Sequence, residues 1–94
     1  MFSVYILYSF SHNKTYVGFT KDLQRRIYEH NHTQKGFTKK CRPWLLAYVE
    51  TFVDKYTAIK REKHFKSGVG RAEIKKIVDN FLLIVRYPPP AEKD

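Results

Sequence analysis

A chain of 94 residues has the length of one domain and excludes a second. Hydrophobic residues at 43% and aromatics at 16% supply a small core and exclude a disordered chain, the single Cys41 excludes an internal disulfide, and no apolar run reaches membrane-spanning length. Eighteen Lys and Arg against nine Asp and Glu give a net charge of +9, the balance of a protein that meets an anionic partner or uses its charge only to stay soluble.

Residues 2–9 read as a strand with β-branched and aromatic residues on both faces, which suits a central strand covered on both sides. Residues 10–14 are turn-like, and residues 15–20 form a second strand, so 2–20 is a hairpin. Gly18 weakens that strand and is best explained by a close approach of backbone or ligand. A first helix runs from about Asp22 to Asn31, capped by Thr20 or Asp22. Residues 32–43 are expected to form a long basic loop, and Trp44 to Phe52 a third strand. A second helix spans Asp54 to Lys66, and Ser67-Gly68-Val69-Gly70 breaks it. A third helix starts near Arg71 with an apolar stripe of Ile74, Ile77, Val78, Phe81, Leu82 and Val85. Pro88-Pro89-Pro90 ends it, leaving one domain over 1–87 and a loose tail over 88–94. The expected fold class is α+β, a three-stranded antiparallel sheet flanked by helices in the order ββαβαα. No charged-then-apolar leader opens the chain, so a cytoplasmic protein with no membrane partner is expected.

The charge is gathered into two blocks. Residues 21–43 and residues 60–76 each carry a net +5, and the remainder sums to −1. Clustered charge is what a phosphate-binding surface needs, because each neutralised phosphate releases counterions; a solvated basic face is the plainer use.

Helical wheels pick out individual residues. On the second helix Ala58, Ile59 and Phe65 cluster on one side and Glu62 projects from the middle of that cluster. A carboxylate there is costly unless it binds a metal or is paired, with Arg26 or Lys66 as candidate partners. On the first helix Leu23 and Ile27 define the buried side and Arg26 and His30 flank it, while Arg25 faces nearly the opposite way. His30 is then either a site residue or an ordinary boundary histidine, and Arg26 either a site cation or a stem covering apolar surface. Tyr5 and Tyr16 lie on adjacent strands, where tyrosines usually pack with a wet hydroxyl. Gathered together, two phenols, an arginine, a histidine and a carboxylate suit phosphoryl transfer: a metal polarises phosphate or water, the arginine stabilises negative charge, and Tyr or His moves the proton. His30 and His32 lack the partners of a zinc site, Cys41 has no context of a nucleophile, and no glycine-rich phosphate loop is present.

The ordered set Ser3-Val4-Tyr5, Tyr16-Val17-Gly18, Arg26, His30 and Glu62 resembles the GIY-YIG nuclease family, in its small standalone single-domain form, from residue 2 to about residue 85. It is similar to the GIY-YIG domain of excision-repair endonucleases. The two tyrosines are eleven apart, as in the family pattern, and Glu62 follows the small residue Ala58 by four. The chain departs from the pattern at Ser3, which replaces the motif glycine, at Phe19, where some repair nucleases have lysine, and near Ile74, where many members have asparagine. The resemblance implies a metal-dependent endonuclease acting on DNA, possessing one Mg²⁺ or Mn²⁺ on Glu62. Tyr16 or Tyr5 would position or deprotonate the attacking water, Arg26 would stabilise charge on the phosphate, and His30 would be a further acid/base or orienting group. Arg25 is available to the nucleic-acid backbone. Lys35, Lys39, Lys40 and Arg42 are candidates to grip it, with Phe37 to stack on a base, unless that loop is only a solvated connection. A nucleic-acid-binding module that does not cut, and a protein-interaction domain for an acidic partner, stay open on the same fold. No additional DNA-binding domain accompanies the motifs, so any activity is expected to be weakly sequence-specific or directed by a targeting partner.

Overall fold

The computed structural model describes residues 1–33 and 36–85, and leaves the side chain of Phe37 undescribed. Lys35, Phe37 as a stacking side chain and the tail over 88–94 therefore lie outside the described residues. Strands β1 (Phe2–Ser9) and β2 (Lys14–Thr20) form the hairpin, followed by helices α1 (Leu23–His32) and α2 (Gly36–Lys40), strand β3 (Leu45–Phe52), and helices α3 (Lys55–Phe65) and α4 (Gly68–Val85). The sheet is antiparallel in the order β2-β1-β3. The α+β architecture matches the expectation, with one short helix added.

β1 is central because both its faces are apolar. Val4, Ile6 and Tyr8 pack on one side with Ala58 and Phe65 of α3 and Ile74 and Val78 of α4. Tyr5 and Leu7 face the other side with Cys41 and Trp44, bordered by Leu23 and Ile27 of α1. The hairpin turns at Asn13, whose φ of 50° is a left-handed conformation that asparagine tolerates, and whose Oδ1 accepts from the Tyr8 hydroxyl. On β3, Ala47 is the extra residue between Leu46, opposite Leu7, and Tyr48, opposite Ile6.

Three boundaries differ from the sequence reading, each for a local reason. The expected loop over 32–43 contains α2, five residues long and too short to show a periodicity. It is held by Trp44, whose indole N–H donates to the Thr38 carbonyl at 2.9 Å. The Ser67–Gly70 stretch does not interrupt a helix for long, because α4 begins at Gly68. Ser67 caps it, accepting from the Gly70 N–H at 3.2 Å while donating to the His64 carbonyl at 2.6 Å. Gly70 is required there by packing: a Cβ would lie 1.9 Å from the His64 carbonyl oxygen. The apolar stripe of α4 covers the sheet from Ile74 to Leu82 but ends before Val85, which is exposed.

A polar clamp ties α3 to both neighbours. Arg61 binds Glu50 of β3 at 2.8 Å and Glu73 of α4 at 2.7 Å, and stacks over the Phe65 ring at 4.2 Å. His64 reaches Glu73 at 2.9 Å and the Tyr48 hydroxyl donates to Glu50. The carboxylates hold the Arg61 guanidinium more firmly protonated than usual, Glu50 first, and Arg61 in turn holds the Glu50 and Glu73 carboxyls below their ordinary values. The clamp fixes the tilt of α3, and with it the height at which Glu62 stands.

Candidate active site

Tyr5 leaves the middle of β1 directly opposite Gly18 of β2. Its ring lies across the glycine, so that a Cβ on Gly18 would stand 2.5 Å from the Tyr5 hydroxyl. The close approach expected at Gly18 is therefore made by a side chain, and glycine is what lets a fully buried tyrosine carry its hydroxyl through to the next strand. That hydroxyl meets His30 Nε2 at 3.2 Å.

His30 comes from the last turns of α1. Asp22 starts this helix, accepting from the Arg25 N–H at 3.2 Å. Leu23 and Ile27 then turn toward the Trp44 cluster, carrying Arg26 and His30 to the site edge. His30 is 5% exposed, and its ring centroid is 4.4 Å from that of Tyr16. Tyr16 stacks on Tyr5 at 6.3 Å and meets Trp44 edge-on at 6.3 Å. Tyr5, Tyr16 and His30 thus form one aromatic knot, with Trp44 as its wall. Asn31 holds that wall: its amide donates to the Trp44 carbonyl at 3.1 Å and accepts from the Trp44 N–H at 2.6 Å.

The two arginines of α1 separate as the helical wheel predicts. Arg26 is half-buried and bonds Glu29 at 2.8 Å; Arg25 is 73% exposed and bonds the same carboxylate at 3.0 Å. Arg26 stands near enough to Tyr5 to feel it. Burial raises the Tyr5 phenol above its ordinary value of 10.0, Arg26 opposes the rise, and Tyr16 and Glu62 add to it. Burial first, and the Arg26 charge second, push His30 below its ordinary value of 6.5, while Glu29 pulls the other way. His30 is therefore neutral at pH 7, and Tyr5 is a protonated hydroxyl.

Glu62 rises from α3 on the turn between the buried Ala58 and Phe65; Ile59 is only partly buried. Its side chain is 17% exposed, and Lys66, one turn on, bonds it at 3.0 Å. Of the two ion-pair partners considered from sequence, Lys66 is the one observed; Arg26 is engaged with Glu29. Among the described residues no group of three or more His, Cys, Asp or Glu could together hold a metal ion. A single partly exposed carboxylate still fits a magnesium-type ion, because such ions keep several waters and take their other ligands from phosphate oxygens.

Of the candidate grip residues, Lys39 and Lys40 are exposed on α2. Arg42 donates to the carbonyls of Lys39 at 3.3 Å and Asn31 at 3.4 Å, so part of its guanidinium is spent on pinning α2 to α1. Glu29, Asn31 and Trp44 were not singled out in the sequence for the parts they play here. Of these, Glu29 carried a signal, its i,i+3 and i,i+4 spacing from Arg26 and Arg25.

The model of the GIY-YIG catalytic domain matches residues 1–76, and the chain belongs to this family. Among solved structures it is similar to the solution NMR structure of the UPF0213 protein BH0048 from Bacillus halodurans, at 27% identity and a TM-score of 0.50, over 82% of this chain and 85% of that one. None of the curated proteins matches it.

Proposed function

We propose that this protein is a metal-dependent endonuclease that hydrolyses phosphodiester bonds in DNA, with structured or damaged DNA as the substrate class. The observation that carries the reading is the convergence of Tyr5, Tyr16, Arg26 and His30 from three elements, with the Glu62 charge felt at the Tyr5 hydroxyl. Family membership supports nuclease chemistry in general, and no described helix is long and apolar enough to cross a membrane. A cytoplasmic location and a targeting partner belong to the same proposal.

The burial of Tyr5 divides the roles. A buried phenol with a raised pKa is a poor base near neutral pH, so Tyr5 orients His30 through its hydroxyl. Tyr16, half-buried and against the neutral His30 ring, is the hydroxyl placed to meet the attacking water, and His30 is placed to accept its proton. Arg26 sits at the edge of the knot, where it can neutralise charge gathering on the phosphate; Glu29 holds it in place. Mg²⁺ or Mn²⁺, when bound, would supply Lewis-acid polarisation of the phosphate or a water. Glu62 is the carboxylate that would hold it, in place of its ion pair with Lys66. Arg25, Lys39 and Lys40 are exposed cations for the flanking backbone, and Arg42 fixes α2 among them.

The test is Glu62→Gln. Lys66 is 57% exposed, so losing its partner strands no buried cation, and the stability loss should stay below about 1 kcal/mol. Wild type should show a Mn²⁺-induced rise in melting temperature; in the variant that rise and the cleavage of plasmid and branched DNA should both vanish while DNA binding remains. A wild type with no Mn²⁺-induced shift and no cleavage would overturn the reading; salt-dependent binding alone would then favour a non-cutting module.

A further inference from the structure

We propose that the groove between the free edge of β2 and helix α4 binds a single nucleic-acid strand, as the path of the strand that leaves the site. The inference rests on the nuclease reading for its choice of polymer, but on its own geometry for the binding. The cavity is about 850 Å³, and Tyr16 and Lys66 line it. Tyr16 belongs to the aromatic knot and Lys66 is the ion-pair partner of Glu62, so the groove borders the site at these two residues.

Its charge is one-sided. Lys14 from β2, Lys66 from the end of α3, and Arg71 and Lys75 from α4 line it, against Asp79 alone among acids. All four cations are exposed. Among the described residues Lys14 and Arg71 make no ion pair, and Lys75 meets Asp79 only at 3.5 Å. Lys66 is paired with Glu62 at 3.0 Å, so Lys14 and Arg71 are the unneutralised cations of the cleft, and they supply the electrostatic half of a phosphate track. Arg71 and Lys75 are one helical turn apart, with Cβ atoms about 6 Å from each other, comparable with neighbouring phosphates on one strand. The floor is partly apolar, made by Ile74, Val78 and Leu82. A basic rim over an apolar floor suits unpaired bases beside a backbone better than a duplex, which presents phosphates on every side. This places part of the grip on β2 and α4, apart from the α2 region marked by the sequence.

The experiment uses the full chain in EDTA with fluorescein-labelled oligonucleotides, single-stranded and duplex, over a salt series. Single strands lose about 0.7 in log–log slope per phosphate contact removed, so Arg71→Gln with Lys75→Gln should flatten the slope by about 1.4 and weaken binding about 25-fold at 0.1 M salt. The duplex should change less. Asp79→Asn, which removes the one acid of the groove, should tighten single-strand binding. Both positions are exposed, so melting temperatures should match wild type. Wild-type affinity and slope in the double variant overturn the groove, as would occupancy by a peptide strand instead. So do equal losses on duplex and single strand. If the wild type cuts DNA with Mn²⁺ in that event, the active-site reading stands. Flattened slopes in a protein that cuts nothing with any metal leave the groove standing and remove the nuclease. A wild type that binds no oligonucleotide overturns both.

Discussion

Gly18→Ala probes the most crowded point of the site. The new Cβ would lie 2.5 Å from the Tyr5 hydroxyl oxygen and 2.7 Å from its Cζ, whereas unbonded heavy atoms settle at about 3.5 Å. The ring tip would have to move by about 1 Å. Tyr5 has little freedom to do so: it is fully buried, packed with Leu7, Cys41 and Trp44, and tethered to His30. Overpacking of this kind costs about 1–3 kcal/mol. Alanine recovers about 0.5–1 kcal/mol over glycine inside a strand. The net loss is about 1–2 kcal/mol, and at about 4–8 °C per kcal/mol for a chain of this size the melting temperature should fall by roughly 5–15 °C. Circular dichroism melts of a double-mutant cycle with Tyr5→Leu isolate the cause. Leucine is too short to cover Gly18, so Gly18→Ala in that background should be neutral or stabilising. An equal loss in both backgrounds would refute the steric coupling of the two residues.

The two arginines of α1 should differ in kind. Arg26→Ala should depress turnover far more than DNA affinity, and Arg25→Ala mainly affinity, in single-turnover cleavage and binding titrations; equal turnover losses would show the wrong arginine in the site. His30 gives a pH signature. Its folded pKa lies below 6.5, so the unfolded chain takes up the proton first; the stability it supports is present above pH 6.5 and is lost as pH falls through its folded pKa. Melting temperature should therefore drop as pH falls below about 6.5 in wild type and fall less steeply in His30→Gln. Arg61→Met should destabilise by about 1–2 kcal/mol, less than the ~3–5 kcal/mol of a fully buried pair, because Glu50 and Glu73 keep some water. Urea unfolding measures it, and no change would show that Phe65 packing alone holds α3.

The apolar run of β1, the cap at Asp22, and the stripe from Ile74 to Leu82 are local signals, written in consecutive or helically spaced residues. They determine a ββαβαα order, and the wheel of α1 separates Arg26 from Arg25. The sequence also marks Gly18 as needing a close neighbour and Glu62 as needing a partner. It does not choose the neighbour of Gly18, which depends on two strands meeting in register, and it leaves Glu62 two candidates, Lys66 one turn along the same helix and Arg26 on another. Tyr5 over Gly18 follows from the hairpin register, while Arg26 takes the local carboxylate Glu29, three residues on, and Glu62 takes Lys66. The Arg61 clamp joins residues 50, 61 and 73, and the β2–α4 groove joins residues 14, 66, 71 and 75; neither spacing has a period to betray it. Even the start of α4 was decided by packing: Gly68 and Gly70 weaken a helix by themselves, but only a glycine lets the first turn of α4 sit on the last turn of α3. Local propensity wrote the elements, and tertiary contact decided what their polar side chains face.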